Sequence, residues 1–482
     1  MLLNFDILHL VMSVLQRREL SRMMRCCRPM YEAGVPLLLG NFPVEVADSD
    51  PPSKLDSLFS FVLGPHYATP FLLPPMNLVI SRAHFIHEMN YQRTRLDPRM
   101  DRILATVWNG AHNLRILRLS TGGDLDELKL DPSICMAISS LTSIQTLSLT
   151  GLGTEECTML QQLLSPLVVA TINFPADAVN GLAPRDVLPL LTGFRASLEN
   201  LCVLYTRFGD AQVEFPRVHS LSAHSCWLQF LRPLLISFPN LRRLSLIRES
   251  SHERFTTEIM EGLRKKNKEE QQKRMQRMWQ KLEDVRSDVP TMFMLGLICE
   301  VHTLDIGVVD RSTLGMLHEV MKDTRPHRLT VSLDIMSMRT DRLNGLFNLA
   351  PQLTLLNLTL DLRSSPSAVD ISALLASVSS IIELLPNISV YFFNFLMEEN
   401  NTTLITDYAF NHLVRLQHST FAQQCLSLSP SPYLSLLILK LPAARPSFWT
   451  FDSEGSRSRV VRQVETNVGI CLAKEQGIVV GD

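Results

Sequence analysis

The chain has 482 residues, too many for one compact core, so it divides into roughly two to four domains or forms one elongated repeat array. Hydrophobic residues make up 46% and charged residues 20%, which excludes a disordered chain. Lys+Arg total 46 against Asp+Glu 48, a formal net charge of −2, so a globally basic surface is excluded and nucleic acid is not the expected partner.

Residues 1–40 read as three short helices. Asn4 caps the first, in which Phe5, Leu8, Met12 and Leu15 share a face, flanked by Ile7 and Val11. Asp6 and His9 interrupt its apolar run and no basic region precedes it, so no signal peptide is expected. Arg17 and Arg18 break the pattern, and a second helix is expected over 19–27 with Leu20, Met23 and Met24 inward. Pro29 opens a turn or a third helix carrying Met30, Tyr31, Ala33, Val35, Leu37, Leu38 and Leu39; Gly34 and Pro36 oppose its continuation.

Residues 41–75 contain two Pro-rich stretches, ADSDPPS and GPHYATPFLLPP, around a short apolar helix over 55–63. This composition reads as a connection rather than a domain.

From about residue 76 a template recurs, x-L-x-x-L-x-L: a short strand of alternating apolar residues preceded by a helical stretch. NLRILRL (Leu114, Leu117, Leu119), SIQTLSL (Ile144, Leu147, Leu149), SLENLCV (Leu198, Leu201, Val203) and NLRRLSL (Leu241, Leu244, Leu246) fit it. RVHSLSA (Val218, Leu221) and PLVVATI (Leu167) are degenerate copies; EVHTLDI, QLTLLNL and YLSLLIL begin at Val301, Leu353 and Leu434. The intervals are roughly those of leucine-rich repeats, about 20–29 residues, with some units longer. One strand and one helix cannot bury their apolar faces alone, so such units stack around a shared core. Helical periodicity shows before NLRILRL, where Ile103, Leu104, Val107 and Trp108 share a face.

The rhythm fails between Leu241 and Val301. A strand placed midway would fall in RKKNKEEQQKR, which has no apolar residue. Residues 252–286 therefore read as a basic helical insertion, whose Met275, Met278, Trp279 and Leu282 return to the body at helical spacing. Arg264, Lys265, Lys266, Lys268, Lys273 and Arg274 form either a solvated helix or loop, the reading that Glu269 and Glu270 favour, or a patch for an acidic partner.

Catalytic and metal motifs are missing from the sequence: there is no phosphate loop, no G-x-S-x-G and no H-E-x-x-H. His84 and His87 lack further ligands and read as a surface or packing pair. His224 and Cys226 face the same way on a strand, and a repeat strand accounts for them without a thiol nucleophile. No metal, cofactor or catalytic residue is expected. The 9 cysteines are widely spaced and odd in number, so they read as reduced thiols of the cytoplasm or nucleus. No apolar stretch is long enough to span a bilayer.

The head, LNFDILHLVMSVLQRRELSRMMRCCRPMYEAGVPLLL, resembles an F-box domain of the kind common in fungal proteins. Leu3, Asp6, Ile7, Leu8, Leu15, Glu19, Leu20, Cys27, Arg28 and Tyr31 carry the resemblance; Asn4 stands where the family usually has Pro. F-box heads are familiarly paired with irregular leucine-rich repeats. The fold class implied is α/β: a short three-helix head followed by an irregular leucine-rich-repeat solenoid, or horseshoe. The function implied is that of a non-catalytic substrate receptor of an SCF (cullin-type) ubiquitin ligase. Leu3, Asn4, Ile7, Leu8, Val11, Met12, Leu15 and Leu20 would meet the ligase adaptor, the cullin scaffold would be reached through it, and the repeats would hold a protein substrate. The alternative is a stand-alone leucine-rich-repeat interaction scaffold.

Overall fold

A computed structural model describes residues 5–47, 50–63, 82–93, 98–122, 127–175, 185–210, 212–226, 228–248, 256–273, 279–334, 349–361, 378, 381–396, 418–429, 431–440, 446–454, 458–476 and 478. They fall into two compact units, Met1–Leu228 with Ile236–Asn240, and Gln229–Leu235 with Leu241–Asp482.

The first unit begins with three helices, α1 (Phe5–Val14), α2 (Arg17–Met24) and α3 (Arg28–Asn41). Glu19 in the first turn of α2 accepts from the Gln16 N–H at 3.2 Å, satisfying one orphan donor of the helix start. α3 runs on through Gly34 and Pro36, against the expectation that they would interrupt it. Packing overrides the lost backbone bond. Val35 and Leu39 are buried, and a Cβ at Gly34 would strike Met24 Cγ and touch Met12 Cε at 3.0 Å. The bare backbone at Gly34 is what lets all three helices close on one another.

Among the described residues, seven strands follow in chain order, each parallel to the next: β1 (Val44–Ala47), β2 (Glu88–Arg93), β3 (Ile116–Thr121), β4 (Thr146–Thr150), β5 (Val169–Asn173), β6 (Asn200–Leu204) and β7 (Ser220–His224). Parallel neighbours require a crossover between them. Helices α4 (Pro52–Leu63), α5 (Pro98–Gly110), α6 (Pro132–Ser139) and α7 (Thr154–Gln162) lie in these crossovers. The period-2 pattern sorts each strand. Leu117, Leu147, Ala170, Leu201 and Leu221 align on one buried row, while Arg118, Ser148, Thr171, Cys202 and Ser222 align on the other face. Buried Arg93 on β2 grips Asp101 on α5 through two bonds, at 2.9 and 3.1 Å.

The stretch 41–75 is thus not merely a connection. It supplies β1, whose buried Val44 and Val46 pair with Met89 and Tyr91, and it supplies α4. Pro43 precedes β1 and Pro51 and Pro52 lie at the start of α4, so the strand itself is free of proline.

The second unit carries nine strands among the described residues: β8 (Arg243–Ile247), β9 (Lys281–Ser287), β10 (Glu300–Val309), β11 (Arg328–Asp334), β12 (Leu355–Asp361), β13 (Val390–Leu396), β14 (Leu436–Lys440), β15 (Ser447–Glu454) and β16 (Ser458–Val464). β8 to β14 are parallel; β15 and β16 turn back antiparallel. A short helix, α8 (Arg232–Ser237), falls where the two units divide. Longer stretches of helix accompany the early strands of this unit, α9 (Thr257–Lys273), α10 (Val289–Leu295) and α11 (Leu314–Thr324).

The basic insertion is a regular part of this unit. The strand sought midway lies further on, as β9. Leu282 and Val285 are fully buried and pair with Val301 and Leu304 of β10. The expected helix through Leu282 is therefore a strand from Lys281 onward; Arg274, Met275 and Met278 lie outside the described residues. The physical reason is an ambiguity of spacing. The repeat template places its first two apolar residues three apart, and so does one face of a helix.

Among the described residues no helix is long and apolar enough to cross a membrane.

Candidate docking face

α1 presents two apolar faces. Met12 is 1% exposed, and Leu20, Met24, Val35 and Leu39 of the same head are buried with it. On the other side Ile7, Leu10, Val11 and Val14 recur at i, i+3, i+4 and i+7, which places them on one stripe. They are 53%, 67%, 41% and 77% exposed, so the stripe faces water. Large apolar side chains gathered on one helix face mark a site where a partner buries them.

The residues named from the sequence separate accordingly. Ile7 and Val11 lie on the exposed stripe, and Leu8 and Leu15 are half-buried. Met12 and Leu20 belong to the private core and are unavailable for docking. Leu3 and Asn4 lie outside the described residues. Leu10 and Val14 complete the stripe and were not anticipated; the signal was present, since they continue the row of Ile7 and Val11 by helical steps.

The neighbouring helix adds charge. α2 and its C-cap expose Arg17, Arg18, Arg22 and Arg25, with Glu19 the single acid among its exposed side chains. The head is held to the first repeat elsewhere, through Arg82. Its guanidinium lies 5.4 Å from the Tyr31 ring and 5.2 Å from the Phe61 ring, and it donates to Tyr31 Oη at 3.1 Å and to the Phe61 carbonyl at 3.2 Å. That anchorage uses α3 and α4 and leaves the α1 stripe open.

The basic run of α9 is neither wholly solvated, the reading the sequence favours, nor one continuous patch. Arg264 is 7% exposed; it donates to the Phe293 carbonyl at 3.1 Å, lies 4.5 Å from the Phe293 ring, and pairs with Asp323 and Glu319. Lys268 pairs with Asp323 at 2.7 Å, and Lys273 with Glu270 at 3.6 Å. Arg264 and Lys268 therefore neutralise this chain's own carboxylates. Lys265, Lys266 and Lys273 are exposed.

At the third location singled out, Cys226 makes no thiol–imidazole pair with His224. Its Sγ donates to the carbonyls of Val203 and His224, and burial pushes its thiol up to about 12. His224 Nε2 is 2.6 Å from Ser222 Oγ instead. The His84 and Phe85 rings lie with centres 3.8 Å apart and their planes tilted by 42°.

No family model matches the chain, and no curated protein matches it in sequence.

Proposed function

We propose that this protein is a non-catalytic substrate receptor of an SCF (cullin-type) ubiquitin ligase, acting in the cytoplasm or nucleus. Its F-box-like head docks the ligase adaptor, through which the cullin scaffold is reached, and its strand–helix repeats, read as a leucine-rich-repeat solenoid, hold a protein substrate. The observation that carries the reading is the exposed stripe Ile7, Leu10, Val11 and Val14. Fully burying a large aliphatic side chain is worth about 1.5–3 kcal/mol, and these four, already partly covered, supply a fraction of that each, so the stripe is the apolar centre of a contact that other groups must complete. The arginines exposed on α2 favour an adaptor surface with an acidic rim.

The test is capture of the purified ligase adaptor by the full chain, compared with a chain carrying both Ile7→Asp and Leu10→Asp. Desolvating two carboxylates at an apolar interface is costly, so the double variant should lose capture. Its melting temperature should stay unchanged, because both positions are exposed. Wild-type capture by the double variant would place docking elsewhere. Absence of capture by the wild-type chain would leave a stand-alone repeat scaffold.

A further inference from the structure

Among the described residues three thiols are exposed, those of Cys26, Cys27 and Cys471. Their electrostatic surroundings differ. Cys26 and Cys27 form the bend between α2 and α3, where Arg25 is the C-cap of one helix and Arg28 the first residue of the next. Residues 22–31 carry Arg22, Arg25 and Arg28 and no acid. All three guanidinium side chains are exposed. Arg28 is paired with Glu32 at 2.9 Å, whereas Arg22 and Arg25 have no acidic partner among the described residues. Cys471 lies on the helix Thr466–Glu475, where Lys474 and Glu475 follow it within a turn and cancel in charge.

Exposed thiols set among cations meet an anionic disulfide more often than a cationic one, because the arginines raise its local concentration. Cys26 Sγ donates to the Arg22 carbonyl at 3.7 Å. Cys27, the N-cap of α3, makes no capping bond with its side chain and is the freer thiol. The two are poorly placed to oxidise each other. No peptide bond among the described residues is cis, so their Cα atoms lie about 3.8 Å apart. A relaxed disulfide spans about 4.4–6.8 Å between Cα atoms. An adduct with an external thiol is therefore not readily displaced by the neighbouring cysteine.

We propose that the Cys26–Cys27 pair is a modification site for small anionic peptide disulfides. The Cys27 thiolate attacks one sulfur of the external disulfide. A new Sγ–S bond forms as the S–S bond breaks, and the other half leaves as a thiolate that takes up the proton Cys27 has lost. Cys27 is oxidised as the departing half is reduced, so no further oxidant is needed. Arg22 and Arg25 then pair with the carboxylates of the adduct. The assignment stands on the thiols and arginines alone, whatever the α1 stripe docks.

Two probes are added separately to the reduced full-length protein at low salt: oxidised glutathione, anionic at neutral pH, and cystamine, which is cationic. Peptide mapping by mass spectrometry follows adduct formation with time at the pair and at Cys471, which serves as the internal reference. The rate at the pair relative to Cys471 should be at least about fivefold higher with glutathione than with cystamine. Salt at about 1 M should bring the two ratios together. An Arg22→Gln, Arg25→Gln double variant should lose the preference while melting as the wild type does, because both side chains are exposed. The same ratio for both probes, or a preference that salt leaves intact, overturns the proposal. A Cys26–Cys27 disulfide formed without adduct overturns the assignment to an external thiol. Should the variant not fold, the salt series on the wild-type chain decides.

Discussion

Asn267 organises three backbone groups from one side chain. Its Oδ1 accepts from the Leu231 N–H at 3.0 Å, and its Nδ2 donates to the carbonyls of Gln229 at 3.1 Å and Met294 at 3.0 Å. One turn later Gln271 donates to the Gly296 carbonyl at 2.8 Å and accepts from the Ile298 N–H at 3.2 Å. An all-polar run can be buried on one side when its polar atoms are paired in this way. Asn267→Ala should therefore cost about 1–3 kcal/mol or more in urea unfolding, since buried backbone groups lose their partners. Lys265→Ala, exposed on the same helix, should stay within about 0.5 kcal/mol; equal effects would remove the distinction. The thiols divide as sharply. Burial pushes Cys135, Cys299 and Cys425 up to about 12, whereas Cys26, Cys27 and Cys471 are exposed. A neutral-pH thiol reagent followed by peptide mapping should modify the exposed three in the native protein and reach the buried three only after denaturation. Labelling of Cys299 under native conditions would show that its surroundings open.

At the scale of elements, the close approach of α2 and α3 depends on Gly34. Gly34→Leu should separate them and lower stability by about 1–3 kcal/mol, read as a fall in thermal midpoint. An unchanged midpoint would mean that Met24 and Met12 rearrange without cost. Much of this architecture is legible in the sequence wherever the leucine template is intact. Leu117, Leu147 and Leu201 share one buried row of the first unit, and Leu244 is buried in its own row of the second. Strands that depart from that template are harder to read. β13 is VYFFNFL, with aromatic residues in place of leucines; β1 is only four residues long; β9 imitates a helix. The exposed stripe of α1 is half legible for another reason. α1 is apolar on the Leu8 and Met12 side as well as on the Ile7, Leu10, Val11 and Val14 side. Periodicity finds both faces, but only the position of α2 and α3 decides which one is covered.

At the scale of the molecule, a row of parallel strands raises the question of where it stops, because a terminal strand offers unpaired N–H and C=O groups to any other chain. β1 limits that offer by being short and by exposing Glu45. In the second unit the antiparallel pair β15 and β16 covers the flank of β14, whose sequence is LLILK. The hairpin thus acts against aggregation as well as completing a core. A chain shortened to end at Lys440 bares both the flank of β14 and the apolar face that Phe448, Ala473 and Ile478 share with Val390 and Ile438, and it should self-associate, appearing in sedimentation as species larger than the intact chain gives at the same concentration. Identical behaviour of the two would mean that something other than the hairpin guards that edge. The hairpin β15–β16 therefore matters for solubility, and a premature stop codon within it should yield a product removed by precipitation rather than one with a missing tail.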